Sequence, residues 1–172
     1  MKALTVAALA ALLCALGAGS SAVAANAPPL GLTAFGSIVV DDAHGHVFVS
    51  GPNENEVLIF DFDGNLVRTI PNIAGAAAMV VQASSLYVVA GKAGSIERID
   101  LGTLADAGTV ATGLSTPQSL AFAGGKLWTG VNGNGQWSQL ASITLAGAVT
   151  VFPSPTYYAP DFATTSGGLT GL

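Results

Sequence analysis

The stretch Val47-Phe48-Val49-Ser50-Gly51, followed after a polar gap by Val57-Leu58-Ile59-Phe60-Asp61, decides how the rest of the chain is read, because it recurs twice. Leu86-Tyr87-Val88-Val89-Ala90-Gly91 precedes Ile96-Glu97-Arg98-Ile99-Asp100, and Leu127-Trp128-Thr129-Gly130 precedes Leu140-Ala141-Ser142-Ile143-Thr144. The leading runs start at positions 47, 86 and 127, a spacing of 39 and then 41 residues. A further β-rich run lies on either side of each pair. These are Ser37-Ile38-Val39-Val40 and Leu66-Val67-Arg68-Thr69-Ile70, then Ala78-Met79-Val80-Val81 and Gly108-Thr109-Val110-Ala111, then Ser119-Leu120-Ala121-Phe122 and Ala148-Val149-Thr150-Val151. Gly, Asn, Asp and Ser separate the runs, residues that tolerate positive φ or bond locally to the backbone.

Four short strands repeated about every 40 residues predict propeller blades, each a small twisted sheet packed face to face on its neighbours around an axis. The alternation within strands is imperfect, as burial on both faces requires. No segment sustains a 3.6-residue period. A β-sandwich of irregular hairpins is the competing architecture. The longer last interval falls at Asn132-Gly133-Asn134-Gly135-Gln136, where a surface insertion belongs. Further on, Ala159-Pro160-Asp161-Phe162-Ala163 matches Thr116-Pro117-Gln118-Ser119-Leu120-Ala121, and Gly167-Gly168-Leu169-Thr170-Gly171 echoes Gly124-Gly125-Lys126-Leu127-Trp128-Thr129-Gly130. The expectation is therefore an all-β, propeller-like chain. Three four-stranded blades over about 36–75, 76–115 and 116–156 and the start of a fourth over 157–172 follow a linker at 26–35 and a signal-peptide helix at 1–25.

Propellers need about four to eight blades to close, so such an arc leaves apolar faces and strand edges open. Two explanations stand. The chain is a truncated product or a piece of a longer protein, which the unfinished sheet favours, or two chains close a ring by association through the open blade faces.

Val40-Asp41-Asp42-Ala43-His44-Gly45-His46-Val47-Phe48-Val49-Ser50, with Phe60-Asp61-Phe62-Asp63-Gly64-Asn65-Leu66-Val67, resembles the repeats of NHL, YVTN and gluconolactonase-type propellers. Gly124 to Gly130 and Tyr157-Tyr158-Ala159-Pro160 resemble the N-terminal propeller of secreted actinobacterial proteins that carry Ig-like repeats further on. The resemblance covers about 36–172 and implies a fold and an extracellular setting. Such propellers range from scaffolds to lyases and lactonases, so it implies no one reaction.

At the N-terminus, Lys2 forms a short basic region, Ala3 to Ala18 is an Ala- and Leu-rich run, and Ala22-Val23-Ala24 supplies the small-x-small pattern of signal-peptidase sites. Cleavage is expected after Ala24 or Ala25. The run is shorter than the roughly 20 residues of a membrane span. Leu13 precedes Cys14 where a lipoprotein site requires a small residue, so the single Cys leaves with the leader. The exported chain then has no thiol for a disulfide, a zinc site or a nucleophile. Of 172 residues only 9% are charged, 10 acidic against 5 basic, while 51% are hydrophobic. This composition excludes a disordered chain, and five scattered cations exclude a nucleic-acid partner. No membrane association is expected after leader removal.

Asp61-Phe62-Asp63-Gly64-Asn65 is the most site-like string, because Asp61, Asp63 and Asn65 are hard oxygen donors of the kind calcium prefers. Its Gly comes at the fourth position, and Asn72 stands where an EF-hand places its closing Glu, so a hairpin turn is the stronger reading. His44-Gly45-His46, with Asp41 or Asp42, is conceivable as a zinc or copper site but reads as a turn whose Gly supplies positive φ. Asp41-Asp42 and Glu54/Glu56 are expected to be solvated carboxylates. There is no Gly-x-Ser-x-Gly elbow, Walker loop or dinucleotide fingerprint. Trp128 shares the blade position of Phe48 and Tyr87 and reads as core, whereas Trp137, Tyr157 and Tyr158 are candidates for a ligand-binding loop face.

The functional expectation is an exported scaffold or binding module with a protein or glycan ligand and no identifiable catalytic site. The alternative is a metal-dependent lactonase or lyase whose site is completed by missing blades.

Overall fold

The computed structural model describes residues 30–132, 137–156, 162–165 and 168–171. The leader expected over 1–25, the insertion at 133–136, and Tyr157 and Tyr158 lie outside them. The described residues are all-β. Strands β1 (Ile38–Asp41), β2 (His46–Gly51), β3 (Glu56–Asp61) and β4 (Leu66–Ile70) form one antiparallel meander in sequence order. Strands β5 (Ala76–Gln82), β6 (Ser85–Ala90), β7 (Ser95–Asp100) and β8 (Ala105–Ala111) form a second. The third comprises β9 (Ala121–Ala123), β10 (Lys126–Val131), β11 (Ser138–Thr144) and β12 (Val149–Thr156). A hairpin of β13 (Phe162–Thr165) and β14 (Gly168–Gly171) follows.

The repeat is exact in register. Val39 faces Phe48, Val80 faces Tyr87 and Ala121 faces Trp128 across the first strand pair of each blade. The next pair sets Val47 against Phe60, Leu86 against Ile99 and Leu127 against Ile143. Opposed residues share a face of the sheet, so this register determines which side chains meet between blades.

Two apolar layers result. Between the first and second blades, Phe48, Val57, Ile59 and Ile70 pack on Met79, Leu86, Val88, Ala90, Ile99 and Leu101. Between the second and third, Tyr87, Ile96, Ala111 and Leu114 pack on Leu127, Val131, Ala141 and Ile143. Each blade thus has a front face, carrying Phe48 or Tyr87, that lies against the back face of the next. Because the second blade is covered on both sides, β6 is buried from Leu86 through Ala90, which is why its sequence does not alternate.

The third inner strand starts at Ala121 rather than at Ser119 as the apolar run suggested. Pro117 cannot donate to a ladder, and the Ser119 hydroxyl, in place of a backbone carbonyl, accepts the Gly130 amide at 3.2 Å. Trp128 keeps the position of Phe48 and Tyr87 but is only half-buried, a departure from its reading as core. It lies on the front face of the third blade, stacked on Phe152 with ring centroids 5.8 Å apart, its Nε1 donating to the Ala123 carbonyl at 3.0 Å.

Candidate functional site

An antiparallel meander puts the starts of its first and third strands at one end and the intervening turn at the other. The starts of β1, β5, β9 and β13 converge on a cleft of about 280 Å³. Gly36 and Ser37 line it from the first blade, Ala77, Ala78 and Met79 from the second, Gln118, Ser119 and Leu120 from the third, and Phe162 from the final hairpin. This volume is close to the lower end of ligand pockets, about 300 Å³. Among the described residues, the lining carries no ionisable side chain. It offers hydroxyls, one carboxamide and apolar carbon.

Ser50, fully buried behind Ser37, fixes this wall. Its Oγ accepts the Ser37 amide at 2.9 Å and donates to the Ala77 carbonyl at 2.7 Å, tying the inner strands of two blades together. Gly36 is required here, since a Cβ would meet Ala77 Cα and Ser50 Oγ at 3.0 Å each.

The loops joining second to third strands in the first two blades lie at the cleft end. Lys92 reaches from the second blade's loop to the first, its Nζ donating to the Pro52 carbonyl at 2.8 Å and to Asn55 Oδ1 at 3.2 Å. Asn55 Oδ1 also accepts the Gly75 amide at 2.9 Å. Glu54 Oε1 accepts the hydroxyl and amide of Thr33 at 2.6 and 2.9 Å, and the hydroxyl bond above all holds this carboxyl below the usual range. These charged groups are engaged in bracing the loops. Trp137, just before β11, stands at the same end and is 45% exposed.

The candidates for metal chemistry lie at the opposite end. Asp61, the last residue of β3, accepts the Asn65 amide at 2.8 Å on Oδ1 and the Asn65 side-chain amide at 2.9 Å on Oδ2. Gly64 turns the chain at φ +83°. The same device recurs where Asp100 accepts the Thr103 amide and hydroxyl, both at 2.8 Å, and where Thr144 Oγ1 accepts the Ala148 amide at 3.0 Å. The Asn65 side-chain bond and the Thr103 hydroxyl bond are the main causes that hold Asp61 and Asp100 below the usual carboxylate range. A turn closed equally well by Thr144 needs no cation. Asp63 is in this turn.

Asp41 departs from the solvated carboxylate that its turn position suggested, being only 4% exposed. Its Oδ2 lies 2.7 Å from His44 Nδ1 and its Oδ1 accepts the Ala43 amide at 3.2 Å, so the first hairpin turn is closed by an ion-pair geometry. Gly45 adopts φ +71° in that turn, and His46 begins β2. Among the described residues, no three of His, Cys, Asp and Glu gather to hold a metal ion.

The cleft has no signature in the sequence, because Ser37, Gln118 and Ser119 have no motif in common. Their one shared signal is position, each standing at the start of an inner strand in the repeat.

No protein-family model matches the sequence, and no curated protein does. Solved structures do match the backbone. Virginiamycin B lyase from Staphylococcus aureus superposes with TM-score 0.66 at 18% identity over 81% of this chain and 48% of that one. That lyase has also been solved as a catalytically inactive histidine-to-alanine variant with quinupristin. A streptogramin B lyase gives TM-score 0.64 at 14% identity over 80% of this chain and 47% of that one. The computationally designed Ika4 protein gives 0.57 at 12% over 80% of this chain and 84% of that one. The chain spans about half the length of the two lyases. Identities this low speak for the backbone alone, and together with three meanders in one register they establish that the chain is an arc of a β-propeller.

Proposed function

We propose that the protein is an exported propeller-repeat binding module whose cleft end takes an uncharged glycan. The observation that carries this reading is the lining of the cleft, which brings Ser37, Ser119 and exposed Gln118 together beside Leu120 and Phe162 with no charged side chain among the described lining residues. Exposed Trp137 at the same end supports it, since an aromatic face suits the apolar side of a sugar ring. The leader-like residues 1–25 support export, which amino-terminal sequencing of protein from the culture medium tests by finding Ala25 or Asn26 first.

An array of neutral glycans probed with the labelled protein, followed by calorimetry on any hit, tests the binding role. We expect Gln118→Ala and Trp137→Ala each to weaken binding at least tenfold while melting as the parent does. Binding restricted to peptides, or unchanged in both variants, overturns it.

The alternative is an enzyme of the lactonase or lyase type, and the names of two structural neighbours support it. In one of them a histidine-to-alanine variant is described as catalytically inactive. This chain has two histidines, and both stand at the hairpin-turn end away from the cleft. Turnover of a lactone or of quinupristin by the purified protein, dependent on added divalent cation, would establish the enzyme instead.

A further inference from the structure

The chain reaches the cleft wall along residues 31–36, and two different anchors hold it there. Thr33 donates both its amide and its hydroxyl to Glu54 Oε1, at 2.9 and 2.6 Å, and Asn53 Nδ2 donates to the Thr33 hydroxyl at 2.9 Å. Leu32 lies over Gly51, its Cδ2 2.5 Å from where a Cβ would stand. Asn53 and Glu54 belong to the loop between β2 and β3. Further on, the Gly36 amide donates to the Ser50 carbonyl and the Ser37 amide to Ser50 Oγ, both at 2.9 Å, and these two residues line the cleft. Residues 31–35 are thus fastened through a carboxylate, and the wall beyond them through a buried serine.

The second oxygen of that carboxylate decides what acid does. Glu54 Oε2 is buried with no hydrogen-bond partner among the described residues. A proton there creates a buried O–H without an acceptor and turns two charge-assisted bonds into neutral ones, which are about half as strong. Lys92, the charged group facing Glu54 from the second blade, favours the ionised form while its ammonium stays bound to Pro52 and Asn55.

We propose that residues 31–35 form an acid-released strap beside the cleft, latched to the first blade by Glu54. The strap carries Phe35, 64% exposed and next to the wall residue Gly36, so the latch determines whether an aromatic ring holds a fixed place at the cleft. The Thr33 hydroxyl bond first, then its amide bond, hold the Glu54 carboxyl below the usual range. The latch is therefore fully present above the ordinary glutamate value of about 4.3 and is lost as pH falls through the lower value of the latched state. This inference is separate from the glycan reading, because it concerns how the strap is attached and is read without a ligand.

Nitrogen-15 NMR on the purified protein from pH 7 to pH 3 tests it. The Thr33 amide should shift with a single midpoint below about 4.3. Backbone order parameters of residues 31–35 should fall from about 0.85 to below about 0.6 through the same midpoint, while Gly36 and Ser37 keep theirs. Glu54→Gln places an NH2 group where Oε2 lies, mimicking the protonated carboxyl, and should give the mobile strap already at pH 7. Thr33→Val, at an exposed position, removes the hydroxyl bond and should raise the midpoint, and Thr33→Ser should restore it. A Thr33 amide that does not titrate, a strap in Glu54→Gln as ordered as the parent's, or loss of order at Gly36 and Ser37 together with the strap overturns the proposal.

Discussion

Ser50 shows how one small polar side chain sets the distance between blades. It is fully buried, and its hydroxyl both accepts from Ser37 and donates to Ala77, so every lone hydrogen-bonding group at that corner is satisfied. Ser50→Ala removes the acceptor of the Ser37 amide and the donor to the Ala77 carbonyl at a part-buried corner, and we expect a loss of about 0.5–1.5 kcal/mol in chemical denaturation. Asp61 works differently, at the surface. Its carboxyl is held below the ordinary value by Asn65, so the folded state favours the ionised form. The corresponding stability is fully present above the unfolded value of about 3.9 and is lost as pH falls through the lower folded value. Urea midpoints measured from pH 6 to pH 2 should therefore fall less steeply below about pH 4 for Asp61→Asn than for the parent. The variant should also bind as little calcium as the parent does, since the carboxylate is engaged in closing its turn. Calcium bound by the parent and lost in the variant would revive the metal reading.

At the scale of the element, the strands differ in what surrounds them more than in what they are made of. β2, β6 and β10 occupy equivalent places, and β6 lies between two blades, buried from Leu86 through Ala90. A truncation in β6 therefore leaves a cavity that neither neighbouring sheet can readily collapse into. Leu86→Ala, at a fully buried position in the layer between the first two blades, should cost about 2–5 kcal/mol. The chemically similar change at exposed Leu66 should cost well under that, and a pair of thermal melts separates the two. The short β9 is the same lesson from the other side. Its run of apolar residues begins at Leu120, but Pro117 and the side-chain bond made by Ser119 delay the ladder until Ala121.

For the whole molecule, stability rests on the two apolar layers between the three blades, one joining the first blade to the second and one the second to the third. The division between the two ends of the arc belongs to this scale as well. The cleft, Trp137, Glu54 and Lys92 lie at one end, and the Asp61, Asp100 and Asp41–His44 turns at the other, because strand direction alternates.

The sequence by itself determined the strands, their order and their grouping in fours. Each follows from local causes: β-branched runs of five or six residues, turn residues between them, and a period that returns Phe48, Tyr87 and Trp128 to one position. It also contained the turn at Asp61-Phe62-Asp63-Gly64-Asn65, because an Asp that bonds an amide a few residues ahead acts within one loop. Only the tertiary structure decided which face of each blade is covered and that Ser37, Ala77, Ser119 and Phe162 share a cleft. Those facts depend on residues some 40 positions apart meeting around an axis, and a one-dimensional pattern records the period of such a meeting without recording what lies inside it.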